Sequence, residues 1–288
     1  VIVRGDSQKL LRKLREGSVD HAIADPPYSD HVHKCGRRGC TGYTEPTRPG
    51  ATRAQFNRTR DLGFDALTED LRAFVARELV RVVRRWILVF TDHEGGEGWK
   101  QDIVKAGGEF VRFGVWHKLG AAPQFTGDRP GAGHEVIVIA HAPRPKGVRL
   151  RWNGGGRHAF WEFPIVLNRS GQDPRLHTTQ KPLPLMEALI KDFTDPGESV
   201  LDPFAGSGTT AAAAKRLGRN ALGFEVDPNY ARKAQERLEA TSYQGDLFAS
   251  HPAKAPKADQ LALDIGATPP ARGGEPASVG APAASEAE

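Results

Sequence analysis

The sequence predicts an α/β fold: a largely parallel sheet with helices packed on both faces. Three observations carry that prediction. Short apolar runs of strand length alternate with segments of helical period along most of the chain. The runs WILVF at 86–90 and VIVIA at 136–140 are apolar throughout, as strands covered on both faces are. The stretch SVLDPFAGSGTTAAAAKRLG at 199–218 passes from strand through a glycine-rich turn into a helix.

In chain order, VIVR at 1–4 is a short strand, Gln8 to Leu14 begins a helix, and VDHAIAD at 19–25 is a second strand. LTEDLRAFVARELVRVV, 67–83, has apolar residues at 67, 71, 74, 75, 79, 82 and 83, which is helix spacing, with Thr68 as its N-cap. WILVFTD is a buried strand, GWKQDIVKAGG a helix closed by glycine, and EFVRFGVWH at 109–117 and HEVIVIAH at 134–141 are strands. A helix follows at 183–193, a strand at 199–202, a helix at 209–217, a strand at 220–225 and a helix at 229–239.

With 288 residues, 39% of them hydrophobic, the chain is long enough for one domain with a full core, placed at 1–248. Residues 249–288 are dominated by Ala, Pro, Gly and Glu and read as a disordered tail. No apolar run is long enough to cross a bilayer and no leader opens the chain, so it reads as cytoplasmic and without a membrane partner. Two cysteines, Cys35 and Cys40, exclude a disulfide-rich secreted scaffold.

The formal charge of +5 is unevenly distributed. Residues 31–60 hold seven Lys or Arg, among them Lys34, Arg37, Arg38 and Arg53, against the single acid Glu45. Residues 142–175 hold seven more, including Arg149 and Arg151, against Glu162 and Asp173, interleaved with Trp152, Phe160, Trp161 and Phe163. Cations mixed with aromatics suit phosphate contact and base stacking, so both segments are candidate nucleic-acid surfaces, the second a candidate target-recognition segment. Solvated loops whose aromatics pack on the core are the alternative.

In the glycine-rich turn, Gly206 and Gly208 let a ligand approach the backbone, and the first turn of the following helix favours an anion. The next strand, NALGFE, ends in Glu225, where a ribose diol finds an acceptor. Ala211 stands where a dinucleotide fingerprint has its third glycine, which favours a nucleoside with a small anionic end.

DPFAGSGTT, the earlier DPPY at 25–28 and the intervening TTQKPLPLMEALI at 178–190 together resemble the S-adenosylmethionine-dependent amino-methyltransferases of DNA, over residues 1 to about 245. With DPPY first and the glycine motif late, the order is similar to their circularly permuted β group. That family's Rossmann-like sheet needs seven strands, and the chain offers seven, the third supplied by its N-terminus.

The resemblance implies roles residue by residue. The Asp25 carboxylate and the Pro26 carbonyl would accept from the exocyclic amine of a flipped base and localise its lone pair, with Pro27 fixing the backbone and Tyr28 stacking on the base. Asp202, Phe204, Gly206 and Gly208 would line the cofactor pocket, with Glu225 on the ribose and Lys181 near the methionine carboxylate, assisted by Thr179. Asp6 would contact the cofactor's adenine or cap the helix that follows it.

Adenine N6 is the expected target and cytosine N4 the alternative, because the cytosine enzymes often carry Ser where this chain has Asp25. A catalytically silent DNA-binding protein is the reading from another class. With no nuclease motif, the chain reads as the modification half of a restriction system or a solitary, phage-associated enzyme on double-stranded DNA. His31, His33, Cys35 and Cys40 hold four zinc-ligand types in a spacing that matches no common structural site, and a metal-free loop is the expected reading. DQLALDI at 259–265 faintly resembles peptides that bind the bacterial sliding clamp.

Overall fold

The computed structural model describes residues 1–27, 67–121, 123, 130–166 and 180–244. The elements in chain order are β1 (Ile2–Arg4), α1 (Ser7–Lys13), β2 (His21–Ala24), α2 (Glu69–Val82), β3 (Trp86–Thr91), α3 (Gly96–Lys105), β4 (Glu109–Leu119), β5 (His134–His141), β6 (Phe160–Pro164), α4 (Leu183–Phe193), β7 (Ser199–Asp202), α5 (Thr209–Arg216), β8 (Asn220–Glu225) and α6 (Pro228–Ala240). Every helix and strand expected from the sequence is present within a few residues of its expected bounds. Thr68 caps α2 as expected, its hydroxyl accepting from the Leu71 N–H at 3.2 Å.

The strands form one sheet in the order β1-β8-β7-β2-β3-β5-β4-β6. The run from β1 to β3 is parallel throughout, and β5 is antiparallel to both β3 and β4. Strands from the two ends of the chain therefore interleave, and β7 lies directly beside β2 with Ala22 opposite Leu201. That adjacency brings the end of the DPPY strand next to the end of the glycine-motif strand.

Two apolar layers flank the sheet. On one face Leu10, Leu11, Phe74, Leu79, Trp99 and Ile103 of α1–α3 pack on Ile87, Val89, Leu201 and Phe224. On the other, Leu185, Leu189, Phe193, Ala213 and Ala234 of α4–α6 pack on Ile23, Leu88, Phe90 and Ile137. β2 and β3 are buried along their whole length because both their faces are covered. No helix among the described residues is long and apolar enough to cross a membrane.

The sheet has eight strands where seven were expected. The addition is β6, parallel to β4 at the edge, with Trp161 opposite Trp116. It lies in the segment read as aromatic-rich and nucleic-acid-facing, and two aromatics of that segment serve the core instead, Trp161 buried in it and Trp152 partly buried against it. Trp161 is 4% exposed and donates to Asp192 Oδ2 at 2.9 Å, while Trp152 packs edge-on against Phe193 at 4.9 Å. Arg157 pairs with the same Asp192, and Asn153 Nδ2 donates to Thr194 O at 3.0 Å, so the chain before β6 is fastened to the end of α4. Phe160, 52% exposed, is the aromatic of this segment that stays open to solvent among the described residues.

Candidate active site

Parallel strands place their carboxyl ends on one rim, and neighbouring β2 and β7 run into Asp25 and Asp202 there, with Glu225 ending β8 beside them. Pro26 is buried and Asp25 and Pro27 half-buried, so the motif is set into the rim. Tyr28 lies outside the described residues, as do Thr179, Lys34, Arg37, Arg38, Arg53, the candidate zinc ligands His31, His33, Cys35 and Cys40, and the tail with its clamp-like peptide.

Lys181 lies two residues before α4, next to its N-cap Pro182, and enters the rim from the helix side. Its Nζ lies 2.6 Å from Asp25 Oδ1 and 3.3 Å from Glu135 Oε2, over the face of Phe90. Burial by itself would lower the pKa of this ammonium; Asp25 and Glu135 more than reverse that and hold it above its ordinary value. The lysine expected beside a cofactor carboxylate thus pairs directly with the DPPY aspartate.

Asp202 organises the glycine turn. Its Oδ1 accepts from the Phe204 N–H at 3.0 Å and its Oδ2 from the Thr210 hydroxyl at 2.5 Å. Burial pushes its pKa up to about 7, against the pull of those two hydrogen bonds, with Asp25 and Glu225 adding to the rise. Glu225 accepts the Gly206 N–H at Oε2 and the Asp227 N–H at Oε1, both at 2.8 Å, and burial raises it as well. The Val226 N–H also reaches this carboxylate, which as an acceptor of about four hydrogen bonds has capacity left.

The two glycines of the turn differ in purpose. Gly206 has φ +50°, and a Cβ there would meet nothing nearer than the Phe204 carbonyl at 3.9 Å, so the space above the turn is open. Gly208 has φ +72°, and a Cβ would stand 2.9 Å from the Ala234 Cβ. Gly208 is therefore required by the close approach of α6, whatever fills the pocket.

Asp6 caps α1, accepting from the Lys9 N–H at 3.0 Å, which is one of the two roles expected of it. It remains exposed beside this rim, because the Gly5 N–H donates to the Glu225 carbonyl at 2.8 Å. Phe204 packs against the α1–α3 layer.

Arg149 and Arg151 are at the other end of the sheet. Since β5 runs antiparallel to β3, His141 at its end pairs with Trp86 at the start of β3, and the chain leaving β5 emerges away from Asp25. There Arg151 pairs with Asp195 at 3.3 Å, and both arginines line a cavity of about 420 Å³ with Arg84, Arg85 and Arg144. The structure does not bring them to the candidate site.

Three residues of the rim were not legible from the sequence: Glu135, Lys118, which pairs with it at 2.6 Å, and Val226, 65% exposed beside Glu225. The available signal for Glu135 was an acid directly before the apolar run VIVIA. No group of three or more possible metal ligands occurs among the described residues.

The rim therefore gathers a carboxylate at the end of one central strand, a glycine turn and an acid at the end of each of the next two. The model of the N6 and N4 DNA methylase family matches residues 19–236. The chain belongs to this DNA methylase family. Among its relatives, YubD of Escherichia coli (strain K12) is 29% identical over 241 residues, covering 83% of this chain and 89% of that protein. The type II methyltransferase M.HinfI of Haemophilus influenzae is 25% identical over 255 residues, covering 82% of this methylase and 67% of M.HinfI. Among solved structures, the M1.HpyAVI–SAM complex superposes with a TM-score of 0.57 at 25% identity, over 82% of this methylase and 98% of that chain. The cytosine-N4-specific PvuII DNA methyltransferase shares the fold, with a TM-score of 0.60 at 15% identity over 92% of this methylase and 90% of that chain.

Proposed function

We propose that this DNA methylase transfers a methyl group from S-adenosylmethionine to the N6 amine of an adenine swung out of double-stranded DNA. The observation that carries the reading is the Asp25 carboxylate, held by Lys181 at the end of β2 immediately beside the Asp202–Glu225 rim.

The residues of the rim suit the cofactor. Open space above Gly206 admits a ligand to the backbone, Glu225 retains acceptor capacity for a ribose diol, and the exposed Val226 beside it offers an apolar surface for a flat ring. M1.HpyAVI, similar in fold over most of this chain, is described as a SAM complex. When bound, S-adenosylmethionine supplies an electrophilic methyl group on a sulfonium sulfur.

The chain's own contribution is to the nucleophile. The lone pair of an exocyclic amine is delocalised into its ring and attacks poorly. Accepting the amine N–H groups at Asp25 and at the Pro26 carbonyl localises that pair toward the methyl carbon. With the cofactor bound, the methyl carbon would pass to this nitrogen as its bond to sulfur gave up its electron pair to sulfur. The nitrogen then loses one proton, for which Asp25 is the nearest acceptor in this arrangement.

Adenine is preferred over cytosine N4 because position 25 carries an acid. Nucleoside mass spectrometry on plasmid DNA from cells expressing the protein tests the choice. N6-methyladenine is the expected product; N4-methylcytosine alone transfers the reading to the other amine, and no methylated amine at all rejects both.

A further inference from the structure

Asp25, Lys181, Glu135 and Lys118 form an alternating chain of charges that crosses the sheet from the end of β2, over Phe90 of β3, to β5 and β4. Lys181 is 6% exposed and the Glu135 side chain 10%. A buried ammonium is costly unless paired, but one carboxylate is enough to pair it. The second, Glu135, is itself desolvated and needs its own reason, since replacing buried ion networks with apolar groups often leaves stability unchanged.

The reason lies in what a lone Asp25–Lys181 pair would do. An ammonium closed wholly on Asp25 would stabilise that carboxylate as an ion-pair partner and weaken it as an acceptor for a neutral amine. With Glu135 at 3.3 Å on its other side, and Lys118 closing the chain beyond, the ammonium is shared. The Lys181 contact at Oδ1 still tethers the Asp25 carboxylate at one oxygen.

We propose that Glu135 is a positioning residue for methyl transfer: by sharing the Lys181 ammonium, it holds Asp25 in place through one oxygen while preserving the carboxylate as an acceptor for the target amine. This rests on the reading of Asp25 as the group that touches that amine. Among the described residues, the charged groups facing Lys181 are Asp25 after β2 and Glu135 on β5, with the Phe90 ring of β3 beneath it. Asp202 of β7 acts on Asp25 and Lys118 of β4 on Glu135.

The test compares wild type, Glu135→Gln, Glu135→Asp and Asp25→Ala. Glu135→Gln keeps the shape and removes the charge. It is expected to lower kcat by about tenfold or more while moving KM for DNA and for S-adenosylmethionine less than about threefold. NMR of protein labelled with ¹⁵N at the lysine side chains, assigned with Lys181→Arg, reads the ammonium directly. Lys181 is expected to titrate above an ordinary lysine in wild type and lower in Glu135→Gln, with the alkaline limb of kcat moving down alongside it. Glu135→Asp, which keeps the charge, is expected to restore that limb.

Wild-type kcat in Glu135→Gln, a raised KM with unchanged kcat, or a reduced kcat with an unmoved alkaline limb each overturns the proposal. So does a wild-type Lys181 that titrates at or below the ordinary lysine value, a measurement that needs no variant to fold beyond the assignment. Asp25→Ala separates the two levels: full turnover there defeats the functional reading itself, whereas an inactive Asp25→Ala beside a fully active Glu135→Gln defeats the role of Glu135 alone.

Discussion

Glu225 Oε2 accepts the backbone N–H of Gly206 at 2.8 Å, tying the end of β8 to the turn that follows β7. The acid assigned to the ribose therefore also shapes the turn assigned to the rest of the cofactor, and Glu225→Ala removes both contributions. Calorimetry should show weaker S-adenosylmethionine binding in that variant. Gly206→Val, which puts a branched side chain into the open space above the turn, should weaken it further. Gly206→Val binding at wild-type affinity would place the pocket elsewhere.

Gly208→Ala should behave differently from Gly206→Val because its neighbour is Ala234 of α6. A Cβ at a φ of +72° and 2.9 Å from another Cβ forces the helix to move, with an expected loss of about 1–3 kcal/mol. Denaturant unfolding should register that loss without cofactor present, and an unchanged midpoint would contradict the packing assignment.

Asp202 makes stability depend on pH in a stated direction. Its folded pKa, about 7, lies above the ordinary value of 3.8, so the folded state binds the proton more tightly. Its contribution is complete below about pH 4 and is lost as pH rises through about 7. Asp202→Asn cannot ionise and should gain on wild type between pH 5 and pH 8 in urea unfolding. A constant difference across that range would show that Asp202 is not desolvated as described.

Glu198 has the opposite sign. Burial alone would raise its pKa, but His21, the Asp195 N–H and Arg85 overcome that and hold it at about 2. Its contribution is present above about 4.5 and lost as pH falls through about 2. His21 Nε2 of β2 lies 2.8 Å from Glu198 Oε2, so the pair joins the starts of the neighbouring strands β2 and β7. Glu198→Gln should lower stability at pH 7 by roughly 2 kcal/mol, with the gap to wild type closing as the solution is acidified.

Much of this architecture was legible because the local signals agreed with one another. The strands β2, β3 and β5 hold apolar runs, α2 has its cap at Thr68, and α4 follows QKP over the expected 183–193. What failed was information that resides between elements. The antiparallel direction of β5 sends Arg149 and Arg151 to the far end of the sheet, and no residue in 142–151 announces that direction. Trp161 looked available for stacking because its partner, Asp192, lies on α4 and is remote in sequence. Glu135 was passed over for the same reason: its meaning comes from Lys181, which reaches it only once β2, β3 and β5 lie side by side.

In the proposed reaction Asp25 acts on the target amine and not on the cofactor. Asp25→Ala, compared with wild type in single-turnover methylation of plasmid DNA and in calorimetric titration with S-adenosylmethionine, tests it most directly. Methyl transfer is expected to fall by at least about a thousandfold while cofactor affinity stays within about threefold, the pattern of an interaction made chiefly in the transition state. Undiminished transfer in a folded Asp25→Ala protein would contradict it.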